Sequence, residues 1–172
     1  MSLNFRRDKR TVKQFEKDIK DAHTLEEKIA TAVKIHLEFL WKETVSVYDN
    51  GADGKGGLIK NLKKHTVDRV YYIGGRKYSV EIKTAPHEKY FTFKVSSLKS
   101  CAKEHALIIV WVKGAKYIYV ASAKNVKLML ELDSKIYYAF SPNDKAVRIQ
   151  KEDLDKYFIK YNLCAEALEE LK

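Results

Sequence analysis

Cysteine is scarce in this chain. Cys101 and Cys164 are the two in 172 residues, far apart, with no CxxC or Cys/His cluster beside either. A reduced, intracellular (cytoplasmic) setting with no disulfide partner is the expectation. Histidine is thin as well: five residues and no HExxH spacing leave a zinc site little support. Long hydrophobic runs are missing. No stretch approaches the roughly 18–20 apolar residues needed to cross a bilayer, so no membrane is expected as a partner. The opening MSLNFRRDKR has no apolar segment behind its basic residues, unlike a secretory signal. Acid is the remaining shortage. Asp and Glu number 23 against 33 Lys and Arg, a formal net charge of +10. A field of that sign attracts polyanions, and nucleic acid is the default partner.

What is present describes a folded globule: 45% hydrophobic and 12% aromatic residues over a length suited to one domain. The expected organisation is a basic arm with an accessory helix over 1–23, a core over 24–121, and a C-terminal αβ extension over 122–172. Val12, Phe15 and Ile19 fall on one helical stripe, with a break expected near His23. Thr24 and Glu27 then form a T-x-x-E capping box that opens a second helix. Its buried face would carry Leu25, Ile29, Val33, His36 and Leu40. That assignment gives Glu27 a structural task and leaves Glu26 without one.

TVSVY (44–48) reads as a strand, and 49–66 as a Gly-rich, then Lys-rich loop. The loop matches neither a phosphate-binding loop, whose G-x-x-x-x-G-K-[ST] order is absent, nor a calcium loop, because Lys60 stands where the closing Glu belongs. A flexible basic flap is the better reading. VDRVYYI and RKYSVEIKT flank Gly74-Gly75, a dipeptide suited to a tight hairpin turn. VSSLKSCAKEH (95–105) predicts a short helix with Val95, Leu98 and Ala102 inward. ALIIVWV and YIYVAS predict strands, followed by strands near IYYAF and AVRIQ and helical residues over 152–171. The elements add up to an α/β fold.

The chemistry gathers on the hairpin. With Gly74 and Gly75 as the loop, Ile73 faces Arg76 and Asp68 faces Glu81, which sets their Cβ atoms about 4.5–5.5 Å apart on one face. Two opposed carboxylates repel unless something positive lies between them. Lys83, two residues beyond Glu81, shares that face. Two oxygen ligands and one ammonium suit a hydrolytic Mg²⁺ site, with Mn²⁺ as a substitute ion. Arg69 falls on the apolar face beside Val67 and Tyr71, an irregularity that a bulge shifting the pairing would explain.

Asp68, then twelve residues, then Glu81-Ile82-Lys83, resembles the D…(D/E)-x-K signature of the PD-(D/E)XK nuclease superfamily. Val67 stands where the motif name has proline. The resemblance covers residues 24–121. It implies a restriction-endonuclease-like αβββαβ core, a mixed central sheet flanked by helices, and a Mg²⁺-dependent endonuclease leaving 5′-phosphate and 3′-hydroxyl ends. Restriction-like, junction-resolving and mobile-element enzymes all fall within that expectation. The family also implies a carboxylate from the first core helix, for which Glu26 is the match. A polar or basic residue from the helix after the motif is implied too: Lys99 first, then Lys94 and Ser96. Lys55, Lys60, Lys63 and Lys64 of the flap are the expected phosphate contacts. Symmetric cutting of two strands needs two sites, hence an expected homodimer. The competing reading is a non-catalytic nucleic-acid-binding module with incidental carboxylates.

Overall fold

The computed structural model describes residues 11–49, 67–132, 136–138 and 141–172. The arm over 1–10 and the flap lysines Lys55, Lys60, Lys63 and Lys64 lie outside them, as do the side chains of Val12, Phe15 and Ile19.

The break expected near His23 is not there. One helix, α1, runs Val12–Trp41 over 30 residues. Neither proline nor glycine occurs between Thr11 and Trp41 to interrupt it. Its capping box is formed by Thr11 and Gln14, each side chain meeting the other's backbone N–H. Thr24 therefore caps nothing. Its hydroxyl donates to the Lys20 carbonyl one turn earlier, the bond a mid-helix threonine makes. Lys42 closes the helix in the left-handed region at φ 56°, and the Glu38 carboxylate accepts from the Val45 amide to lead the chain into the sheet. Ile29, Val33 and His36 are buried as expected, but Leu40 is 49% exposed.

The central sheet has six strands in the order β1 (Val45–Asp49), β2 (Arg69–Ile73), β3 (Arg76–Ala85), β5 (Leu107–Val112), β6 (Tyr117–Ala121) and β9 (Ile159–Asn162). β3 and β5 are parallel and all other pairs antiparallel, so the sheet is mixed. Two segments depart from expectation. YFTFK forms a strand, β4 (Tyr90–Lys94), that enters a second, three-stranded sheet with β8 (Ser141–Gln150) and β7 (Ile136–Tyr138). The helical stretch expected over 152–171 is broken: a 3₁₀ turn and α4 (Leu154–Tyr157) lead into β9, and only then α5 (Ala165–Glu170) follows. LMLEL mostly continues α3 (Ala123–Leu130).

Each face of the central sheet has its own core. α1 and α5 cover one, over Ile29, Tyr71, Ile82, Ile109 and Trp111. The helix α2 (Val95–Lys103), α3, α4 and the second sheet cover the other, over Leu98, Val110, Ala121, Phe93 and Ile149. The architecture is thus a mixed α/β sheet flanked by helices, with the αβββαβ order intact and β4 inserted before α2. None of the described helices is long and apolar enough to cross a membrane.

Candidate active site

The turn Gly74–Gly75 adopts φ of 52° and 75°, values glycine reaches without strain. It locks Ile73 opposite Arg76 and Arg69 opposite Val80. No bulge intervenes. Asp68 is one residue beyond the ladder, beside Glu81, and its carboxylate is held by the Ile82 amide, which donates to Oδ2 at 3.0 Å.

Arg69, the residue on the apolar face, is accommodated by a partner rather than by a bulge. It is 4% exposed, pairs through Nη1 with the Asp49 carboxylate of β1, and donates to the Asp68 carbonyl at 3.2 Å. The guanidinium braces the end of the hairpin from behind while Asp68 faces forward.

Lys83 Nζ lies 2.5 Å from Glu81 Oε1 and 3.7 Å from Asp68 Oδ2. The ammonium therefore sits between the two carboxylates, as their repulsion requires. Burial alone would lower the Lys83 pKa, but Glu81 and Asp68 outweigh it and hold the group above its ordinary value, firmly protonated. Asp68 is raised, first by burial and then by Glu81, against the opposing pull of Lys83.

Glu26 reaches this cluster from α1. Burial, then the Asp68 charge, pushes its carboxyl up to about 7, with Lys83, Arg69 and Glu81 also acting on it. Its helical neighbours one turn on, Ile29 and Ala30, are both buried, which turns Glu26 inward. Glu27 points elsewhere: its side chain is 59% exposed and 3.6 Å from His23. The capping argument that singled out Glu26 does not hold, because Thr24 lies in mid-helix.

Ser97, which the sequence reading passed over for Ser96, donates its hydroxyl to Glu81 Oε1 at 3.0 Å. The signal was in the helix. Cys101 is 1% exposed beside Leu98, and including it in the buried stripe rotates the face so that Ser97, one turn earlier, meets the sheet. Lys94 is the half-buried N-cap position of α2, and Ser96 and Lys99 are exposed on the same helix. They flank the helix whose Ser97 contacts Glu81.

Asp68 and Glu81 share one ammonium, and the Glu26 carboxyl of α1 lies near enough to feel their charges. Oxygen-only donors suit a hard divalent cation such as Mg²⁺ or Mn²⁺, and Glu26 and Asp68 are raised chiefly by burial, with neighbouring carboxylates adding to it. A second group, His23, Glu27 and Asp49, brings ligand atoms within 4.8 Å of one another, a juxtaposition that histidine spacing alone did not reveal. Arg69 already supplies Asp49 with a cation.

No protein-family profile and no curated protein matches the chain. Among solved structures it is similar to Hjc, a Holliday junction resolvase of the archaeal hyperthermophile Archaeoglobus fulgidus. The identity is 10% and the TM-score 0.44, over 80% of this chain and 94% of that one.

Proposed function

We propose that this protein is a metal-dependent endonuclease of the PD-(D/E)XK type that hydrolyses DNA phosphodiester bonds. The observation that carries the reading is the packing of Asp68, Glu81 and Lys83 at the end of one hairpin, with Glu26 brought to them from α1. A solvated face with an incidental salt bridge would leave Asp68 and Glu26 near their ordinary titration, whereas burial raises both.

Asp68, Glu81 and Glu26 are the residues that would hold Mg²⁺. Such an ion polarises a phosphate and makes a neighbouring water more acidic. The remaining work falls to the chain's own groups. The Ile82 amide orients Asp68, and Ser97 orients Glu81. Lys83, protonated at neutral pH, is a hydrogen-bond donor and positive charge for a phosphate oxygen rather than a base. Its side chain is 37% exposed, so a backbone phosphate can reach it from solvent. A net charge of +10 supplies the long-range attraction for the polyanion.

The test is cleavage of supercoiled plasmid and of branched synthetic DNA, with Mg²⁺ and with EDTA. Wild-type protein is expected to cut in Mg²⁺ only. Asp68→Ala and Glu81→Ala should each abolish cutting while DNA binding persists, since removing a carboxylate relieves repulsion with phosphates. Cutting by either variant would overturn the assignment of that residue, and cutting in EDTA would overturn the metal dependence.

A further inference from the structure

The two faces of the central sheet are covered to different extents. On the face that carries Glu81 and Lys83, α2, α3 and the second sheet pack over β5 and β6, burying Ile108, Val110 and Ala121. Among the described residues that cover stops at β3, leaving β1, β2 and the first half of β3 as an open shelf beside the carboxylates, and strand pairing gives the side chains that stand on it. Tyr48 opposes Val70, which opposes Ser79; Ser46 opposes Tyr72, which opposes Lys77. Lys77 and Ser79 alternate in step with Glu81 and Lys83, so all of these side chains share the active-site face.

Two large aromatics lie bare on this shelf. Tyr48 is 59% exposed and Tyr72 40% exposed, with their rings 5.6 Å apart edge to face. With Val70 and Lys77 they border a shallow depression of about 340 Å³. Arg76 and Lys77 are exposed at the hairpin end of the same strand. Strand geometry puts the tyrosines about 10–15 Å from Glu81, a span of roughly three to four stacked nucleotides of one strand.

We propose that Tyr48 and Tyr72 are a stacking platform for unpaired bases. The site would then act on nucleic acid that has single-stranded nucleotides a few positions from the scissile phosphate. A paired duplex buries its base faces in its own stack and offers an aromatic shelf only sugar and phosphate. Unpaired bases offer a π-face that any tyrosine ring accepts, and adjacent cations hold the backbone beside it. Three properties of the shelf meet that requirement: exposed rings, lysine alongside, and continuity with the carboxylates on one sheet face. The inference rests on the nuclease reading for the chemistry that the platform serves, while the binding it describes needs no cleavage.

The experiment measures binding in EDTA to labelled oligonucleotides that are single-stranded, branched, or fully paired. Wild type is compared with Tyr48→Ser/Tyr72→Ser and with Tyr48→Phe/Tyr72→Phe. The serine pair should lose about tenfold or more in affinity for the single-stranded and branched forms and about twofold or less for the paired duplex, because each lost stack removes base contacts a duplex never makes. The phenylalanine pair, which keeps the rings, should bind like wild type. Equal loss on all three DNAs overturns the proposal, as does an unchanged affinity of the serine pair. A change in sedimentation of the serine pair with no change in binding assigns the shelf to a second copy of the chain instead. Should the serine pair fail to fold, Tyr48→Ser alone gives the same comparison at the more exposed ring. Plasmid cleavage in Mg²⁺ is scored separately. Cleavage without strand selectivity sinks the platform alone, and selectivity without cleavage sinks the nuclease reading alone.

Discussion

The Ser97 hydroxyl donates to Oε1 of Glu81 at 3.0 Å, the same oxygen that meets Lys83 Nζ. That oxygen is thus committed on two sides, and the orientation of Glu81 depends on a helix that otherwise contributes hydrophobic packing. A group that fixes a metal-binding carboxylate from behind typically matters about 10–100-fold in metal affinity or activity. Ser97→Ala should slow cleavage by about tenfold and move its Mg²⁺ midpoint to higher concentration. Ser96→Ala should do neither. A Mg²⁺ titration of the cutting rate for both variants checks this, and the reverse pattern would return the role to Ser96.

Lys83 should act on the rate more than on binding. Lys83→Ala is expected to lower cleavage at saturating DNA by about 10²-fold, as loss of a positioned electrostatic or acid group does. If only the DNA concentration needed for half-maximal rate changes, Lys83 is a phosphate clamp.

Glu26 gives the metal-free protein a pH signature. Its carboxyl is raised from 4.5 to about 7 on folding, so between those values the folded chain keeps a proton that the unfolded chain has released. Stability in EDTA should therefore fall as pH rises through that window. The raised Asp68 acts in the same sense. Glu26→Gln should flatten the slope and leave the Asp68 contribution in place. Mg²⁺ binding near pH 6.5 should release a proton in wild type and less in Glu26→Gln, because bound carboxylates must be ionised. Urea unfolding in EDTA at several pH values, and calorimetry in buffers of different ionisation enthalpy, read the two effects. A slope identical in wild type and Glu26→Gln would remove Glu26 from the site.

The capping assignments separate just as cleanly. Thr11→Ala should cost the first turn of α1 about 0.5–2 kcal/mol, visible as faster amide exchange there. Thr24→Ala removes a back-bonding hydroxyl in mid-helix and should gain up to about 0.7 kcal/mol. Loss of stability in Thr24→Ala would mean that α1 is interrupted after all.

The hairpin was legible in the sequence because its register depends on local rules. A Gly-Gly turn and a period of two residues place Asp68 beside Glu81 and Lys83 without any knowledge of the rest of the fold. Features made by distant segments were less accessible. β4 was hidden because its pairing partner, β8, is far along the chain, and YFTFK alone carries no turn signal on its C-terminal side. β9 was hidden because IKYN is four residues long and lies between two helical stretches. Arg69 read as a fault because its counter-charge, Asp49, belongs to another strand. The break at His23 failed for a different reason: T-x-x-E describes what a helix start can use, and nothing in the residues before Thr24 stops a helix.

β9 closes the central sheet on β6, and α5 sets Ala167 under α1. The Cys164 amide donates to Nδ1 of His36, across a separation of 128 residues. The long first helix is therefore sealed by a segment synthesised well after the hairpin that carries Asp68 and Glu81. Until that segment arrives, β6 presents a bare strand edge and α1 lacks part of its apolar cover, the kind of surface on which incomplete chains associate. Truncation before Ile159 should consequently yield insoluble protein even though every proposed catalytic residue is retained. In this chain the residues proposed to cut and the residues that let the sheet close are separate sets, and α1 touches both.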